Sequence, residues 1–427
     1  MMYFVPSWYH GNEYKENEQY WYRRRTVTEF DDSVKQVQMF NRNNIMDYKI
    51  LNLSYCPNFR HFLHRQSVFH APYWSCFDAI QEIRRTKVDI LSYRDLMWPD
   101  HTEFVYTPFC IVAYVNNMKY AEVHFGEDGN MIEVFLFQSE IMVRKNVYDD
   151  RGFLSTTIVY ENNQPVYEQY LDEKGNWKLL HFFEDDHIEI NSENPYYLIG
   201  NKRFTFQSLN YDSMESLIEE VFSTYLDEMT NLSDIFCLAM HTLHHDLLES
   251  LFSKRKTILS FYQNRLELFE DAELKSLIRS TNYCIVDSKH KIRPLERYAG
   301  KTLPIVDITP FDTRADFGIS QQLTVQNILV PIDSIEQSKL EALIVLFASY
   351  FETNETARVH FFTRNANWDR VDSVLSFVRD VLKANGLDER LARKETNDKA
   401  EFDLDEEKKV PIKFFVDQCV DELSISK

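Results

Sequence analysis

The sequence predicts an α/β protein made of two βα domains, the first of which is interrupted by an antiparallel β-sheet. Three observations lead to this prediction. Short apolar runs alternate with amphipathic helical patterns over the first hundred residues and again after residue 207. Between residues 103 and 206, strand-like runs instead follow one another directly, separated by turn signals. A second βα alternation begins near residue 281.

The N-terminal domain is expected to contain a parallel sheet, because its strands are separated by helices. A strand is predicted at residues 3–6, and Asp31-Asp32 marks the start of a helix with Val34, Val37 and Phe40 on one face. Further strands are predicted at 48–53, 234–240 and 256–261, and further helices from Pro57, at 211–229 and at 245–252. This domain therefore comprises residues 1–102 and 207–280.

Residues 103–206 are expected to form the inserted antiparallel sheet. Asn-Asn at 116–117 and 162–163 and Asp-Gly at 128–129 supply the positive φ angles of tight hairpins. Apolar side chains on both faces of residues 133–137 indicate cover on both sides. We therefore expect this sheet to be the platform for a partner protein.

The second βα domain is predicted to span residues 281–427. Its expected strands are at 283–287, 304–308, 327–330, 358–362 and 411–416, and its helices are at 337–351, at 368–384 and after the last strand. The charged, glycine-free stretch 393–409 is expected to be a solvated connection.

Composition excludes several classes of function. Lys plus Arg number 47 against 67 Asp plus Glu, and a net charge of −20 argues against a nucleic-acid binder. Only 9 of 427 residues are glycine, which leaves few for phosphate-binding loops. The six cysteines form no C-x-x-C pair and are typical of reduced thiols in the cytoplasm. No signal peptide or run of ~20 apolar residues is present, so no membrane span is expected.

Blocks at both ends of the chain resemble the first accessory secretory protein family of the alternative Sec pathway in Gram-positive bacteria. The N-terminal blocks are Y-F-V-P-S-W-Y at 3–9, N-F-R-H-F-L-H-R-Q at 58–66 and A-P-Y-W-S-C-F-D at 71–78. The C-terminal blocks are I-T-P-F-D-T-R at 308–314 and F-G-I-S-Q-Q at 317–322. The resemblance covers nearly the whole chain, and the N-terminal blocks are the more specific.

This resemblance implies a GT-B-like fold, with two Rossmann-like domains and an inserted antiparallel β-sheet domain, but without transferase activity. The implied role is to assist export of glycosylated serine-rich repeat adhesins. The implied partners are two sister accessory proteins, the dedicated Sec ATPase and the glycosylated preprotein. The protein is then cytoplasmic, with any membrane contact at the cytoplasmic face through the translocon.

An active glycosyltransferase that uses a nucleotide sugar is the alternative. GT-B donor sites hold the diphosphate with basic residues at a strand-to-helix turn, and here only Lys339 remains as a candidate donor-site residue. The expected Gly-Arg pair is Pro331-Ile332, and Asp333 follows, whose charge would repel a diphosphate. A further turn at 363–367 lacks glycine. A third possibility is a glycan-binding subunit that regulates a transferase.

The donor-side E-x7-E motif of such transferases would lie beyond residue 427, so the chain is expected to be either a fragment or a shortened member. His241 and His245 would share one helix face at a spacing that ligates zinc, but a complete site needs three or four ligands. We therefore expect no metal, no cofactor and no catalytic residue.

Four residues are candidates for binding glycan or substrate in the interdomain cleft: Tyr9, His244, Arg314 and Gln321. His244 follows a parallel strand, where open α/β sheets bind ligands. Each candidate except Gln321 has an alternative role. His244 can cap the next helix, Tyr9 can pack over the first sheet, and Arg314 can pair with a neighbouring aspartate on the surface.

Overall fold

The structure is a computed structural model in which the chain divides into two compact units. The first unit is Met1–Asp312 and the second unit is Thr313–Lys427. The residues described are 1–16, 18–22, 31–43, 45, 47–244, 255–262, 275, 278–279, 281–299, 303–308, 326–333, 335–354, 356–363, 368–387, 392–395 and 412–416.

A seven-stranded parallel sheet forms the centre of the first unit. Its strands are β1 (Met2–Val5), β2 (Tyr48–Asn52), β3 (Tyr73–Ser75), β16 (Ile235–Ala239), β17 (Lys256–Phe261), β18 (Tyr283–Val286) and β19 (Ile305–Asp307). Their order across the sheet is β19-β18-β17-β16-β1-β2-β3, and every neighbouring pair is parallel. The parallel sheet predicted for the N-terminal domain is therefore present.

Helices connect and cover these strands. The described helices of the first unit are α1 (Asp32–Arg42), α2 (Phe59–Arg65), α3 (Cys76–Ile80), α4 (Met214–Met229) and α5 (Lys289–Ala299), with 3₁₀ turns at Tyr93–Asp95 and Thr242–His244. Asp31 accepts a hydrogen bond from the Val34 backbone N–H at 3.0 Å and so begins α1, as its sequence position predicts. Among the described residues, no helix is long and apolar enough to cross a bilayer.

The predicted insertion is a ten-stranded antiparallel sheet accompanied by a separate hairpin. The strands in this part of the chain are β4 (Glu103–Tyr106), β5 (Ile111–Val115), β6 (Met118–Phe125), β7 (Met131–Gln138), β8 (Ile141–Asp149), β9 (Phe153–Glu161), β10 (Gln164–Leu171), β11 (Trp177–Phe182), β12 (Ile188–Ile190), β13 (Tyr196–Ile199), β14 (Lys202–Thr205) and β15 (Asn210–Tyr211). The sheet has the order β15-β12-β11-β10-β9-β8-β7-β6-β5-β4, and β13-β14 is the hairpin. The two predicted Asn-Asn turns have positive φ at all four residues, which matches the right-handed twist of hairpins.

The later strands of the insertion share a hydrophobic core with the parallel sheet, whereas β5 to β8 enclose a separate buried cluster. Tyr170 and Leu179 of the insertion belong to the same buried cluster as Leu51 of β2 and Phe236 of β16. The side chain of Lys178 is completely buried, and its ammonium donates to Glu82 Oε2, next to α3, and to the Tyr196 carbonyl, at 2.7 Å each. The insertion therefore belongs to the first compact unit.

The boundary predicted at residue 281 is wrong. Tyr283 in β18 pairs in parallel with Ile258 in β17, and β19 pairs with β18, so both strands belong to the first sheet. Cys284 and Val286 are fully buried there, which explains why the sheet extends this far. Successive βα units look alike in sequence, and the pattern alone does not show which sheet a strand joins.

The second unit contains a four-stranded parallel sheet with helices between its strands. Its elements are β20 (Gln326–Pro331), α6 (Gln337–Thr353), β21 (Ala357–Thr363), α7 (Trp368–Ala384), β22 (Ala392–Glu395) and β23 (Ile412–Val416), and the strand order is β20-β21-β23-β22. The predicted solvated connection is wrong at its start, because residues 393–395 belong to β22 and Ala392 is buried against the core of this unit. The helix predicted after β23 lies outside the described residues.

Candidate functional site

The strand order places a topological switch point between β1 and β16. From β1 the chain continues outward to β2 on one side, whereas from β16 it continues to β17 on the other. Connections leave the carboxyl ends of these two strands in opposite directions, which opens a crevice at that edge of the sheet. Ligands of open α/β sheets bind in such crevices, so this edge is the candidate site of the first unit.

Tyr9 and His244 meet at this edge. Tyr9 follows β1 and His244 follows β16, and the Tyr9 hydroxyl lies 2.7 Å from His244 Nε2. His244 Nδ1 lies 2.6 Å from the Ala239 carbonyl oxygen, which only accepts, so Nδ1 donates to it. Burial raises the pKa of Tyr9 well above its usual range. Both predicted residues are therefore present as a hydrogen-bonded pair.

Neighbouring aromatic residues pack over the same strand ends. The Tyr14 hydroxyl donates to the Leu243 carbonyl at 2.7 Å, and the Tyr9 ring contacts the Tyr14 and His241 rings. Trp8 is 8% exposed and donates to Asp31, the residue that caps α1. These contacts agree with the packing alternative for the N-terminal aromatic segment between residues 8 and 14.

A small crevice lies at the carboxyl ends of β17, β18 and β19, on the β17 side of the switch point. It is open to solvent, has about 20 Å³ of room for ordered water, and lies against α1. Its lining includes Asp32, Lys35, Ser260, Tyr262 and Asp287. The Ser260 hydroxyl hydrogen-bonds the Asp32 carboxylate. Such carboxylate and hydroxyl groups suit a ligand rich in hydroxyls better than a phosphate.

None of these crevice residues is among the binding candidates that the sequence predicts. The sequence pattern assigns Asp32 only to a helix start, although a carboxylate in the first helical turn after a parallel strand also faces the switch-point edge. Asp287 directly follows β18, and its ion pair with Lys291 at 3.0 Å holds it at that edge. Acidic residues placed after the strands of βα units are the sequence feature that predicts these crevice residues.

The turn that the sequence predicts to correspond to the donor-diphosphate turn of GT-B enzymes lies between β20 and α6 in the second unit. Here Arg370 of α7 donates to the carbonyl oxygens of Ile332, at 2.7 Å, and of Ile335. Lys339 is 76% exposed and lies 3.4 Å from the carboxylate of Glu336, which is also exposed. The turn between β20 and α6 thus presents Asp333 and Glu336, while its remaining lysine already has an acidic neighbour.

Three sequence-predicted residues lie outside the described part of the chain. Arg314 and Gln321, the other two cleft candidates, are among them, as is His245 of the histidine pair. Most of the glycine-free turn that follows β21 is also outside the described residues. Among the four cleft candidates, the structure thus brings together Tyr9 and His244.

Comparisons with known proteins agree with the resemblance of the terminal blocks. A model of the family of accessory Sec system protein 1, the first of the accessory secretory proteins, matches residues 1–427. The chain is 30% identical over 433 residues to the member of this family from Streptococcus gordonii, covering 100% of this chain and 80% of that protein.

Two solved structures are similar over most of their length. One is the Glycosylation Associate Protein (Gap123) complex from Streptococcus agalactiae, with a TM-score of 0.73, 27% identity, and coverage of 99% of this chain and 80% of that one. The other is accessory secretory protein 1, 2 and 3 in Streptococcus pneumoniae, with a TM-score of 0.71, 27% identity, and coverage of 90% and 76%.

The fold also resembles that of an active enzyme. The pneumococcal O-GlcNAc transferase GtfA, solved with UDP and GlcNAc, matches with a TM-score of 0.57 and 10% identity, over 98% of this chain and 76% of that one. This likeness concerns the fold alone and confirms the predicted GT-B-like class. By the match along all 427 residues and by its relatives, this chain belongs to the family of accessory Sec system protein 1.

Proposed function

We propose that this chain is a non-catalytic subunit of a cytoplasmic complex of accessory secretory proteins. The complex works with the dedicated Sec ATPase at the cytoplasmic face of the membrane and assists export of a glycosylated serine-rich repeat adhesin. Within it, the chain binds its sister proteins and, at the switch-point crevice, a glycan of the preprotein.

The turn between β20 and α6 is the observation that carries the non-catalytic part of this proposal. A nucleotide-sugar diphosphate needs positive charge and free backbone N–H groups where it meets a helix N-terminus. At this turn the Glu336 carboxylate is exposed, Asp333 follows Ile332, and the guanidinium of Arg370 is already engaged by two backbone carbonyls. Coulomb repulsion at contact distance is worth several kcal/mol at an effective dielectric of about 20. A donor substrate is therefore disfavoured at this turn.

Two structures of relatives support a role in a protein complex. One of them is the Gap123 complex, and the other contains accessory secretory proteins 1, 2 and 3. Because this chain is 27% identical to each and matches at least 90% of its own length, we infer the same kind of assembly here.

The edge strand β4 of the insertion is the surface that we assign to a sister protein. It has one neighbour, β5, among the described strands, and ends the ten-stranded sheet. Val105 and Tyr106 of β4 are 48% and 62% exposed, and Phe109 beyond it is 56% exposed. An edge with unpaired backbone groups and exposed apolar side chains is suited to addition of a strand from another protein.

A charge placed on this edge tests the assignment. We expect Val105→Glu to weaken co-purification with the sister accessory proteins at least tenfold, because the carboxylate would be desolvated at the interface. The control is Leu232→Glu, which changes another exposed apolar residue of the first unit, 70% exposed and distant in sequence. Equal recovery of partners with both variants, each with an unchanged melting temperature, would show that β4 is not the interface.

Calorimetric titration tests the non-catalytic part. We expect no heat of binding and no hydrolysis with a panel of nucleotide sugars, and saturable binding of a glycosylated serine-rich peptide that Asp287→Asn weakens. Saturable binding of a nucleotide sugar that is lost in Lys339→Ala would instead establish the glycosyltransferase alternative. Failure of the peptide alone to bind would remove only the glycan site.

A further inference from the structure

Three potential metal ligands from two neighbouring segments of the insertion converge on one face of its sheet. They are Cys110, Glu122 and His124, and one ligand atom from each lies within 4.8 Å of the others. The cluster belongs to the antiparallel sheet, whereas the crevice lies on the parallel sheet and the turn before α6 belongs to the second unit. These three residues belong neither to the proposed glycan site nor to the proposed partner surface on β4. Among the described residues, the cluster is the group of three His, Cys, Asp or Glu side chains whose ligand atoms lie close enough together to hold one metal ion.

The strand register explains why these side chains meet. In the β5–β6 pair, Ile111 lies opposite Val123 and Val112 lies opposite Glu122. Extending that register by one residue places Cys110 opposite His124. Glu122 and His124 are two residues apart on β6 and therefore point to the same face, as do Cys110 and Val112 on the facing chain.

The backbone of Cys110 is held in place before β5 begins. Its N–H donates to the Thr107 hydroxyl at 2.9 Å, and that hydroxyl donates to the Cys110 carbonyl at 2.7 Å. The thiol is partly exposed and is not in a disulfide. A fixed backbone with an accessible thiol limits the entropy lost when the sulfur binds an ion.

His124 shows that the cluster has unused ligand capacity. The side chain is 7% exposed, its Nε2 lies 3.3 Å from Glu122 Oε2, and its Nδ1 is buried without a hydrogen-bond partner. Nε2 is therefore the ring nitrogen that lies beside the Glu122 carboxylate, where an ion would bind, and Nδ1 remains available to a hydrogen-bond partner. The Tyr20 and Phe135 ring centres lie 4.9 and 4.7 Å from that of the imidazole and shield it from water.

We propose that Cys110, Glu122 and His124 form a Zn²⁺ site with three protein ligands and water in the fourth position. Thiolate, carboxylate and imidazole are the ligand types that Zn²⁺ takes in proteins. Tetrahedral zinc places its ligand atoms ~3.5 Å apart, so atoms within 4.8 Å reach it by small side-chain rotations. The ion would join β5 to β6 beside the edge strand β4.

Lys119 tunes the affinity of this site. Its ammonium lies 2.6 Å from Glu122 Oε1 and 3.8 Å from the centre of the Phe137 ring, so Oε2 is the oxygen left for the ion. A neighbouring positive charge raises the free energy of a bound cation. We therefore expect Lys119→Met to tighten Zn²⁺ binding roughly tenfold, which a merely structural role of the cluster would not produce.

Metal titration of the full chain tests the proposal. After removal of metal by a chelator, we expect one equivalent of Co²⁺ to give visible bands of tetrahedral geometry and a near-ultraviolet sulfur-to-cobalt band, both abolished by Zn²⁺. Cys110→Ser should remove the sulfur band and weaken Zn²⁺ binding by about 100-fold or more, beyond the 10–100-fold that loss of an outer-shell partner costs. His124→Gln should weaken binding to a similar extent.

A histidine elsewhere in the sheet provides the control. His187 lies beside Asp185 and Glu189 without a thiol, so His187→Gln should leave Co²⁺ and Zn²⁺ binding unchanged. The proposal is overturned if no saturable binding occurs, or if Cys110→Ser binds as tightly as the unmodified chain. It is also overturned if His187→Gln removes the site while His124→Gln does not.

Discussion

Replacing Arg151 by methionine is expected to destabilise the first unit by about 3–5 kcal/mol. Arg151 is 8% exposed and joins the insertion to α3. Its guanidinium makes two bonds of 2.8 Å to Asp78 of α3 and two of 2.7 Å to Asp149 of β8. Methionine fills much of the same volume but leaves both carboxylates without their counter-charge. Breaking a buried ion pair on one side is costly for this reason.

The loss of stability in Arg151→Met should depend on pH, and the pKa of Asp149 determines whether the loss grows or shrinks as the pH rises. Burial raises this pKa to about 6 from its usual 3.8, even though the bonds to Arg151 act against the shift. Between these two values the folded state holds a proton that the unfolded state releases, so stability falls as the pH rises from 3.8 to about 6. Without Arg151 the pKa of Asp149 rises further, so the variant should lose more stability at pH 8 than at pH 5.

Urea unfolding at both pH values measures this effect, and Arg85→Met is the matched control. The Arg85 and Arg151 guanidinium groups both lie 5.6 Å from the Phe153 ring centre, so both substitutions remove a similar cation–π contact. Arg85 is more exposed and pairs with the exposed Asp89, a contact worth ~1 kcal/mol or less. Equal losses for the two variants, or a larger loss for Arg151→Met at pH 5, would contradict the argument.

The ion pairs of Arg151 also limit which variants can be used to test partner binding. Deleting residues 103–206 would remove Arg151 and Lys178 and would expose the core that the insertion shares with the parallel sheet. Loss of a partner after such a deletion would then report unfolding rather than the absence of an interface. Single substitutions on the exposed edge of β4 avoid this ambiguity.

Local patterns in the sequence predict the elements better than their assembly. Asp31-Asp32 and the apolar face that follows predict helix α1, and the structure confirms the cap at Asp31. The Asn-Asn hairpins are predictable because asparagine tolerates positive φ. In contrast, the sequence pattern assigns β18 and β19 to the wrong domain, since strand neighbours depend on packing between residues distant in sequence.

The candidate sites also differ in whether a local sequence pattern predicts them or only the pairing of strands brings them together. Tyr9 and His244 each follow a strand, so a rule about strand ends is enough to predict that both lie at one edge of the sheet. Their roles in binding stay predictions. The sequence does not predict the cluster of Cys110, Glu122 and His124, because its ligands meet only through the β5–β6 register. A glutamate and a histidine two residues apart do not indicate a metal without that register.

Gly152 is the second position where a small change should have a large effect. Its φ is +89°, a conformation that costs other residues about 1–2 kcal/mol. A Cβ atom there would also lie 1.7 Å from the carbonyl oxygen of Asp89. The neighbouring backbone is held in place, since Asp89 N–H donates to the Arg151 carbonyl at 3.2 Å. Alanine would thus force apart two chain segments that are hydrogen-bonded to each other.

We expect Gly152→Ala to lower the free energy of unfolding by about 2–5 kcal/mol, the sum of backbone strain and overpacking. Gly175→Ala separates the two causes. Gly175 has nearly the same φ, +86°, but nothing within 4 Å of its Cβ position, so that variant should lose only the strain, about 1–2 kcal/mol. Urea unfolding compares them, and equal losses would mean that the segment around Asp89 moves away freely. A larger loss at Gly152 would show instead that this segment is fixed against the β8–β9 turn.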